Sequence, residues 1–296
     1  MNAHSPAPAQ ARRQVPAIYR VWIGDIEVTV ISDGYIDSDI DSFSPSGGEL
    51  RRLMGESFLE GKTFRLGTVV YVINTGSRIV LVDAGCGPLF GAASGFFLQN
   101  LAHAGIAQGQ VDAVLITHMH ADHVGGLLQE GHATFPSAEI FMHEAELAWY
   151  MGDEILRRAT DRNRPWILRA REVPDHYPAI KLFREEGEIL PGIHAVPLTG
   201  HTPGHRGYIV DSKNHQLFIT GDVVYSPVYG FKHPDYDFPF NVQPQRAMGS
   251  RKRALEMAAA HRWLISASHL PFPALGYVRR AGAVYEYVPD EWRFEP

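Results

Sequence analysis

One heptapeptide carries more information than any other part of this chain: Thr117-His118-Met119-His120-Ala121-Asp122-His123. It continues an apolar, β-branched run over 111–117, which predicts a buried strand. Polar side chains are costly to bury without partners. Three imidazoles and a carboxylate directly after such a strand therefore indicate a functional site. Their chemistry favours a site that binds metal ions.

The spacing within the heptapeptide divides these side chains into two sets. In an extended segment alternate side chains point the same way, so His118 and His120 can bind one ion. A helix predicted from about Asp122 reorients Asp122 and His123, which can bind a second ion. Imidazole and carboxylate ligands suit zinc, manganese, iron or cobalt. Cys86 is the only cysteine, which excludes a thiolate cluster and an intrachain disulfide.

Outward from the heptapeptide, strands and helices alternate along the chain. Strands are predicted at 19–23, 26–31, 68–74, 78–82, 111–117, 138–142, 193–198, 207–211, 216–220 and 263–266. Helices are predicted at 92–104, 143–151 and 244–261. Strand-rich halves separated by helices favour sheets covered by helices within one domain. Residues 1–17, rich in Ala, Pro and Gln, predict a disordered leader, and 18–296 form the domain.

Composition excludes several classes of function. A chain of 296 residues with 45% hydrophobic content can bury a full core. A net charge of −6 without a long basic run disfavours nucleic acid. The one basic cluster, Arg251-Lys252-Arg253, has helical spacing and is interpreted as a solvated helix face. No apolar run reaches the ~20 residues that cross a bilayer. We expect a cytoplasmic protein, or a periplasmic or secreted one if an export signal has been removed.

The heptapeptide resembles the His-x-His-x-Asp-His signature of the metallo-β-lactamase fold superfamily. Further motifs of that superfamily follow in order: Asp83 in Val82-Asp83-Ala84-Gly85, His201 in His201-Thr202-Pro203-Gly204-His205, Asp222 in Thr220-Gly221-Asp222, and finally His269. The resemblance covers about residues 19 to 290. It implies an α/β fold, a four-layer αββα sandwich in a single domain.

The resemblance also implies roles for these residues. One divalent metal ion is held by His118, His120 and His201, the other by Asp122, His123 and His269, and Asp222 bridges both. Zinc is the favoured metal, and two such ions can share a hydroxide that acts as nucleophile. Asp122 and Asp222 are the candidate catalytic residues, Asp122 by passing a proton to the leaving group. Asp83 is expected to support a metal-binding imidazole, and His205 to support its loop.

The tail narrows the choice of branch. Ala267-Ser268-His269-Leu270-Pro271-Phe272-Pro273 resembles the branch of methyl parathion hydrolases and their lactonase relatives, usually homodimers. Common zinc β-lactamases have cysteine where this chain has Asp222. We therefore expect a dinuclear hydrolase of lactones or aryl esters, with promiscuous phosphotriester hydrolysis. The alternatives are a dedicated organophosphate phosphotriesterase and, more remotely, a mononuclear iron redox enzyme on the same scaffold.

An aromatic loop over 223–240 predicts an apolar substrate pocket. The candidate pocket residues are Phe96, Phe97, Trp149, Tyr225, Phe231 and Phe240. The alternative for the loop is a packed lid or a dimer contact. Because no Arg or Lys could be placed beside the metals, we expect a neutral ester, lactone or phosphotriester as substrate.

Overall fold

The computed structural model describes residues 14–43, 47–59, 61–227 and 229–295. Its strands are β1 (Ile18–Ile23), β2 (Ile26–Asp39), β3 (Thr63–Asn74), β4 (Ile79–Val82), β5 (Ala113–Leu115), β6 (Leu128–Gln129), β7 (His132–Ala133), β8 (Glu139–His143), β9 (Ile180–Phe183), β10 (Gly187–Leu190), β11 (Ile193–Pro197), β12 (Arg206–Ser212), β13 (His215–Ile219), β14 (Leu264–Ser266), β15 (Leu275–Ala281) and β16 (Val284–Pro289). The first sheet has the order β1-β2-β3-β4-β5-β8-β9, the second runs from β10 to β16 in sequence order, and β6 and β7 form a small ribbon.

Helices cover the outer faces of both sheets. They are α1 (Gly47–Glu56), α2 (Phe97–His103), α3 (Ala121–Val124), α4 (Glu144–Met151), α5 (Asp153–Arg157), α6 (Arg164–His176) and α7 (Pro244–His261). Residues of α2, α3, α4 and α6 share a core with the first sheet, whereas α7 packs against the second sheet. The result is the expected αββα sandwich in one domain. None of the described helices is long and apolar enough to cross a membrane.

Strand β3 shows how the sequence builds the layers. Successive side chains of a strand point to opposite faces. Accordingly Val69, Tyr71 and Ile73 are buried between the two sheets, while Val70 and Val72 are buried under the helices of the first sheet. A strand buried on both faces reads as a continuous apolar run, as this one does.

The predicted site residues follow strands that end at one edge of the sandwich. β4 and β5 are parallel neighbours in the first sheet, and β13 and β14 are parallel neighbours in the second. Their carboxyl ends lead to Asp83, His118, Asp222 and His269 respectively. Parallel strands that run together end together, so four separate motifs converge.

Some predicted boundaries were wrong. The helix predicted at 92–104 begins only at Phe97, because Gly91 and Gly95 adopt positive φ angles ahead of it. The strand predicted at 111–117 is limited to Ala113–Leu115. The leader predicted at 1–17 falls largely on residues 1–13, which lie outside the described residues.

The interpretation of the basic cluster was wrong for Arg251. Its side chain is fully buried, whereas the Lys252 side chain is 48% exposed. Arg251 lies four residues after the buried Ala247 and three before the buried Ala254, so helical spacing places it on the inward face of α7.

Candidate metal centre

Three histidines, His118, His120 and His201, bring their ring nitrogens to one point and are called the three-histidine group. Nε2 of His118 lies 2.9 Å from Nδ1 of His120 and 3.1 Å from Nε2 of His201, and the last two nitrogens are 2.8 Å apart. Oδ2 of Asp222 lies 3.5 Å from His201 Nε2. These four ligand atoms all lie within 4.8 Å of one another, which suits one divalent ion.

A second cluster, called the mixed group, combines Asp122, His123, Asp222 and His269. Nε2 of His269 lies 3.0 Å from Oδ2 of Asp222 and 3.4 Å from Oδ2 of Asp122. Nε2 of His123 and Oδ1 of Asp222 are 3.3 Å apart and buried, yet neither has a hydrogen-bond partner among the described residues. Buried polar atoms without hydrogen-bond partners fit a site that binds a cation. The residues therefore fit two divalent ions, with Asp222 facing both.

Electrostatics distinguish the two groups. Burial lowers the pKa of His120 to about 4 and, together with neighbouring imidazoles, holds the pKa values of His118 and His201 well below the usual range. These rings are neutral, with lone pairs free to bind a cation. Burial also lowers the pKa values of His123 and His269, but the carboxylates of Asp222 and Asp122 outweigh it and raise both values. The mixed group therefore stabilises positive charge.

In His123, His201 and His269, the ring nitrogen that faces away from the metal groups contacts an oxygen atom. Nδ1 of His123 lies 2.7 Å from Oδ2 of Asp83, as expected for a supporting carboxylate. Nδ1 of His269 lies 2.7 Å from the carbonyl oxygen of Gly67. Nδ1 of His201 lies 3.1 Å from both the Oδ1 of Asn241 and the hydroxyl of Tyr225. Such contacts fix the tautomer that leaves the other nitrogen free for metal. No sequence motif indicated Asn241.

His205 lies beside the centre but belongs to neither group. Its Nδ1 donates to the carbonyl oxygen of Leu198, and its Nε2 accepts from the backbone N–H of Asp222. Gly221 adopts φ +56, and a Cβ there would lie 2.6 Å from His205 Nε2. This packing agrees with the expected supporting role of His205, since it positions the backbone that carries Asp222.

The metal groups open into a cavity of about 450 Å³. Of the predicted pocket residues, Trp149, Tyr225 and Phe240 line it. Phe90 and Trp166, whose ring centroids lie 4.8 Å apart with the planes tilted by 34°, complete an aromatic wall that the sequence did not indicate.

The other three predicted pocket residues were wrong. Phe97 is buried in the core beneath the helices of the first sheet, and Phe231 is buried in the core between the sheets. Phe96 is 41% exposed and lies outside the lining of the cavity. Aromatic composition predicts burial or binding equally well, so it could not separate these residues from the pocket.

Two arginines line the outer part of this cavity, Arg158 and Arg162. Arg158 stacks on Trp149 with its guanidinium carbon 5.7 Å from the ring centroid, and its Nε donates to Glu154 at 2.6 Å. Arg162 lies 5.8 Å from the ring centroid of Trp166. No Arg or Lys near the metal groups was predicted from the sequence, whereas the structure shows two arginines in the lining of the cavity.

Comparison with known proteins agrees with this geometry. The chain belongs to the metallo-beta-lactamase superfamily, whose family model matches residues 63–269. The structure of AbOPH, a hydrolase of the beta lactamase superfamily, is 25% identical with a TM-score of 0.89 and covers 95% of this chain and 100% of that one. AidC, a dizinc quorum-quenching lactonase in complex with a product, is 25% identical with a TM-score of 0.88 and covers 94% and 99%.

The curated relatives match over shorter lengths. The protein YobT of Bacillus subtilis is 29% identical over 153 residues, 51% of this chain and 60% of the relative. This chain spans about half of the length of the curated relatives it matches.

Proposed function

We propose that this protein is a dinuclear metal-dependent hydrolase that cleaves lactones or aryl esters. The observation that carries the proposal is the opening of both metal groups into an aromatic cavity, with Asp122 and Asp222 at its floor and Trp149 and Phe240 on its walls. The similarity to AidC, a dizinc lactonase, supports the same reaction class.

The proposed division of ligands follows the two groups. The three-histidine group would hold one ion, the mixed group the other, and Asp222 would contact both. When bound, the ions would supply Lewis acidity and a water-derived nucleophile near neutral pH. Zinc is the proposed metal, because neutral imidazoles and carboxylates suit it.

The chain's own residues orient the reaction. Tyr225 lines the cavity and stacks parallel to His269, with ring centroids 5.2 Å apart. Burial raises the pKa of its phenol well above the usual value, so the hydroxyl remains a hydrogen-bond donor. Asp122 faces the cavity with its side chain 15% exposed, so it can reach a leaving group. We propose that Asp122 passes a proton to that group.

Two variants test this arrangement. Asp122→Asn should lower kcat about 10²-fold or more, and a variant that kept both metals and full activity would contradict the proton-transfer role. Trp149→Ala should raise KM for an aromatic lactone, whereas Phe96→Ala, outside the cavity, should leave KM unchanged. Equal effects of the two aromatic changes would contradict the proposed pocket.

The phosphotriesterase is the second candidate. It is supported by the tail over 267–273, which resembles the methyl parathion hydrolase branch, and membership of that branch would also favour a homodimer. A paired measurement decides between the candidates: kcat/KM on metal-quantified protein for an aromatic lactone, an acyl-homoserine lactone and a nitrophenyl phosphotriester. Dominant lactone turnover supports the lead proposal, and dominant phosphotriester turnover reverses the order.

Because Arg158 and Arg162 could attract a negatively charged substrate, the charge of the preferred substrate needs its own test. A neutral aryl ester and its carboxylated analogue differ only in charge at the end that would face Arg158 and Arg162. A higher kcat/KM for the neutral ester supports the neutral substrate class, and preference for the acid would contradict it.

A further inference from the structure

Glu146, in the first turn of α4, is a buried acid that accepts three hydrogen bonds. Oε1 accepts from the backbone N–H of Met119 at 2.8 Å. Oε2 accepts from the hydroxyl of Thr202 at 2.6 Å and from the N–H of Gly204 at 3.0 Å. Among the described residues, Glu146 belongs to neither metal group and does not line the cavity. Its carboxylate therefore cannot act directly on a metal or a substrate.

Two of the donors are direct neighbours of metal-binding histidines. Met119 stands between His118 and His120, and Thr202 follows His201. The loop with Met119 follows β5 of the first sheet, and the loop with Thr202 joins β11 to β12 of the second sheet. One carboxylate thus ties together the two loops that supply all three nitrogens of the three-histidine group.

The packing around Glu146 is tight. A Cβ on Gly204 would lie 2.3 Å from the backbone nitrogen of Glu146, so the loop approaches α4 as closely as only glycine allows. Arg206 braces the same loop by donating to the carbonyl oxygen of His205 at 3.1 Å. The loop therefore has little freedom to compensate if the carboxylate is lost.

The three donors also explain why the residue is an acid. A carboxylate offers only acceptors, whereas the amide of glutamine would turn an N–H₂ group towards at least one of the donors. Burial raises the pKa of Glu146 to about 7 against the lowering effect of the three hydrogen bonds. Burying the Glu146 carboxylate is costly, and its surroundings accept only hydrogen-bond acceptors. Its presence there therefore indicates a specific role in holding the three donors.

We infer that Glu146 is the positioning residue of the three-histidine group: it holds the His118–His120 loop against the His201 loop so that three nitrogens meet at one ion. The inference rests on the proposed metal site. It assigns Glu146 no contact with substrate.

The test compares metal affinities in variants of the 296-residue chain. Glu146→Gln should weaken binding of the ion held by the three-histidine group about 10–100-fold, the range found when partners of metal ligands are removed. Zinc competition with a chromogenic chelator measures both dissociation constants, and the visible absorption of the cobalt-substituted protein reports the ligand geometry. Glu144→Gln is the matched control, because Glu144 lies in the same turn and pairs at 2.6 Å with Arg184 on the surface.

A second pair of variants keeps the test valid if Glu146→Gln does not fold. Thr202→Val removes one donor and leaves the carboxylate in place, so it should weaken one ion by a smaller factor. Thr202→Ser keeps the hydroxyl and should restore the affinity. A merely structural role would lower the melting temperature but leave both dissociation constants and the cobalt spectrum unchanged.

Two outcomes would overturn the inference: zinc affinity in Glu146→Gln equal to that in Glu144→Gln, or equal affinities in Thr202→Val and Thr202→Ser. The comparison needs no substrate. A weakened site in Glu146→Gln, found in a protein that cleaves no ester or lactone, would support the role of Glu146 while contradicting the proposed hydrolase function.

Discussion

Replacing Arg251 by methionine should destabilise the protein far more than the same change at Lys252, its neighbour on α7. The buried guanidinium donates to the carbonyl oxygens of Val223 at 2.6 Å, Pro234 at 2.9 Å and Tyr236 at 2.5 Å. Its central carbon also lies 4.0 Å from the ring centroid of Phe238. These contacts join α7 to the aromatic loop that begins next to Asp222.

The size of the effect follows from those contacts. Each buried carbonyl left without a donor costs about 1–3 kcal/mol. Removing the buried charge offsets part of this cost, because burial itself lowers the pKa of Arg251 to about 10. We therefore expect Arg251→Met to lose about 3 kcal/mol of the free energy of unfolding. Lys252 pairs with Asp235 at the surface, and Lys252→Met should lose at most about 1 kcal/mol.

Urea denaturation of both variants at saturating zinc measures these free energies. In a thermal scan the loss expected for Arg251→Met corresponds to a decrease in Tm of roughly 5 °C for a chain of 296 residues. Arg251→Lys should fall between the two variants, since a single ammonium group cannot reproduce the planar fork. If Arg251→Met and Lys252→Met lost equally small amounts of unfolding free energy, the buried contacts of Arg251 would not stabilise the fold.

Three further predictions concern metal, loop support and pH. Removing metal with a chelator should lower Tm in calorimetry, because each ion at 1,000 times its Kd contributes about 4 kcal/mol; an unchanged Tm would count against the metal centre. His205→Ala should keep two metals per chain but lose about 2–4 kcal/mol of the free energy of unfolding, measured by urea denaturation. The reason is that the change leaves the Leu198 carbonyl and the Asp222 N–H unpaired. Loss of one metal would instead show that His205 is a ligand. Burial raises the pKa of Tyr177 to about 12, so the folded state retains a proton that the unfolded state releases near pH 10. Its contribution of about 2–3 kcal/mol is present below pH 10 and lost as pH rises to 12, and Tyr177→Phe should show a shallower decline of stability over that interval.

The sequence predicted the layers because they depend on local patterns, whereas it predicted the convergence of the motifs only through the family resemblance. The apolar runs of β3 and of the segment before His118 are visible without a structure. The parallel pairing of β13 with β14 places Asp222 and His269 at the same edge of the sandwich. These two residues are 47 positions apart in the sequence, so only the family resemblance could predict that they meet.

What the sequence could not predict depends on contacts between distant segments. Phe231 and Phe240 are both aromatics of one loop, yet Phe231 packs on Tyr287 from β16 while Phe240 reaches the cavity. Glu146 is not part of a recognisable sequence motif, and the three donors around it are visible only in the folded chain. Arg251 is different: its helical spacing from Ala247 and Ala254 predicts burial, whereas its charge favours exposure to solvent, and the structure shows that it is buried.

The connection between the two sheets has a consequence for how the protein could be divided. The first sheet uses residues 18–183 and the second uses 187–289, and the linking residues 184–186 are exposed. A cut in this link would leave His118, His120, Asp122 and His123 on one fragment and His201, Asp222 and His269 on the other. Neither fragment would hold a complete ligand set, so zinc would act as a reporter of reassembly, bound tightly only when the two halves have found each other.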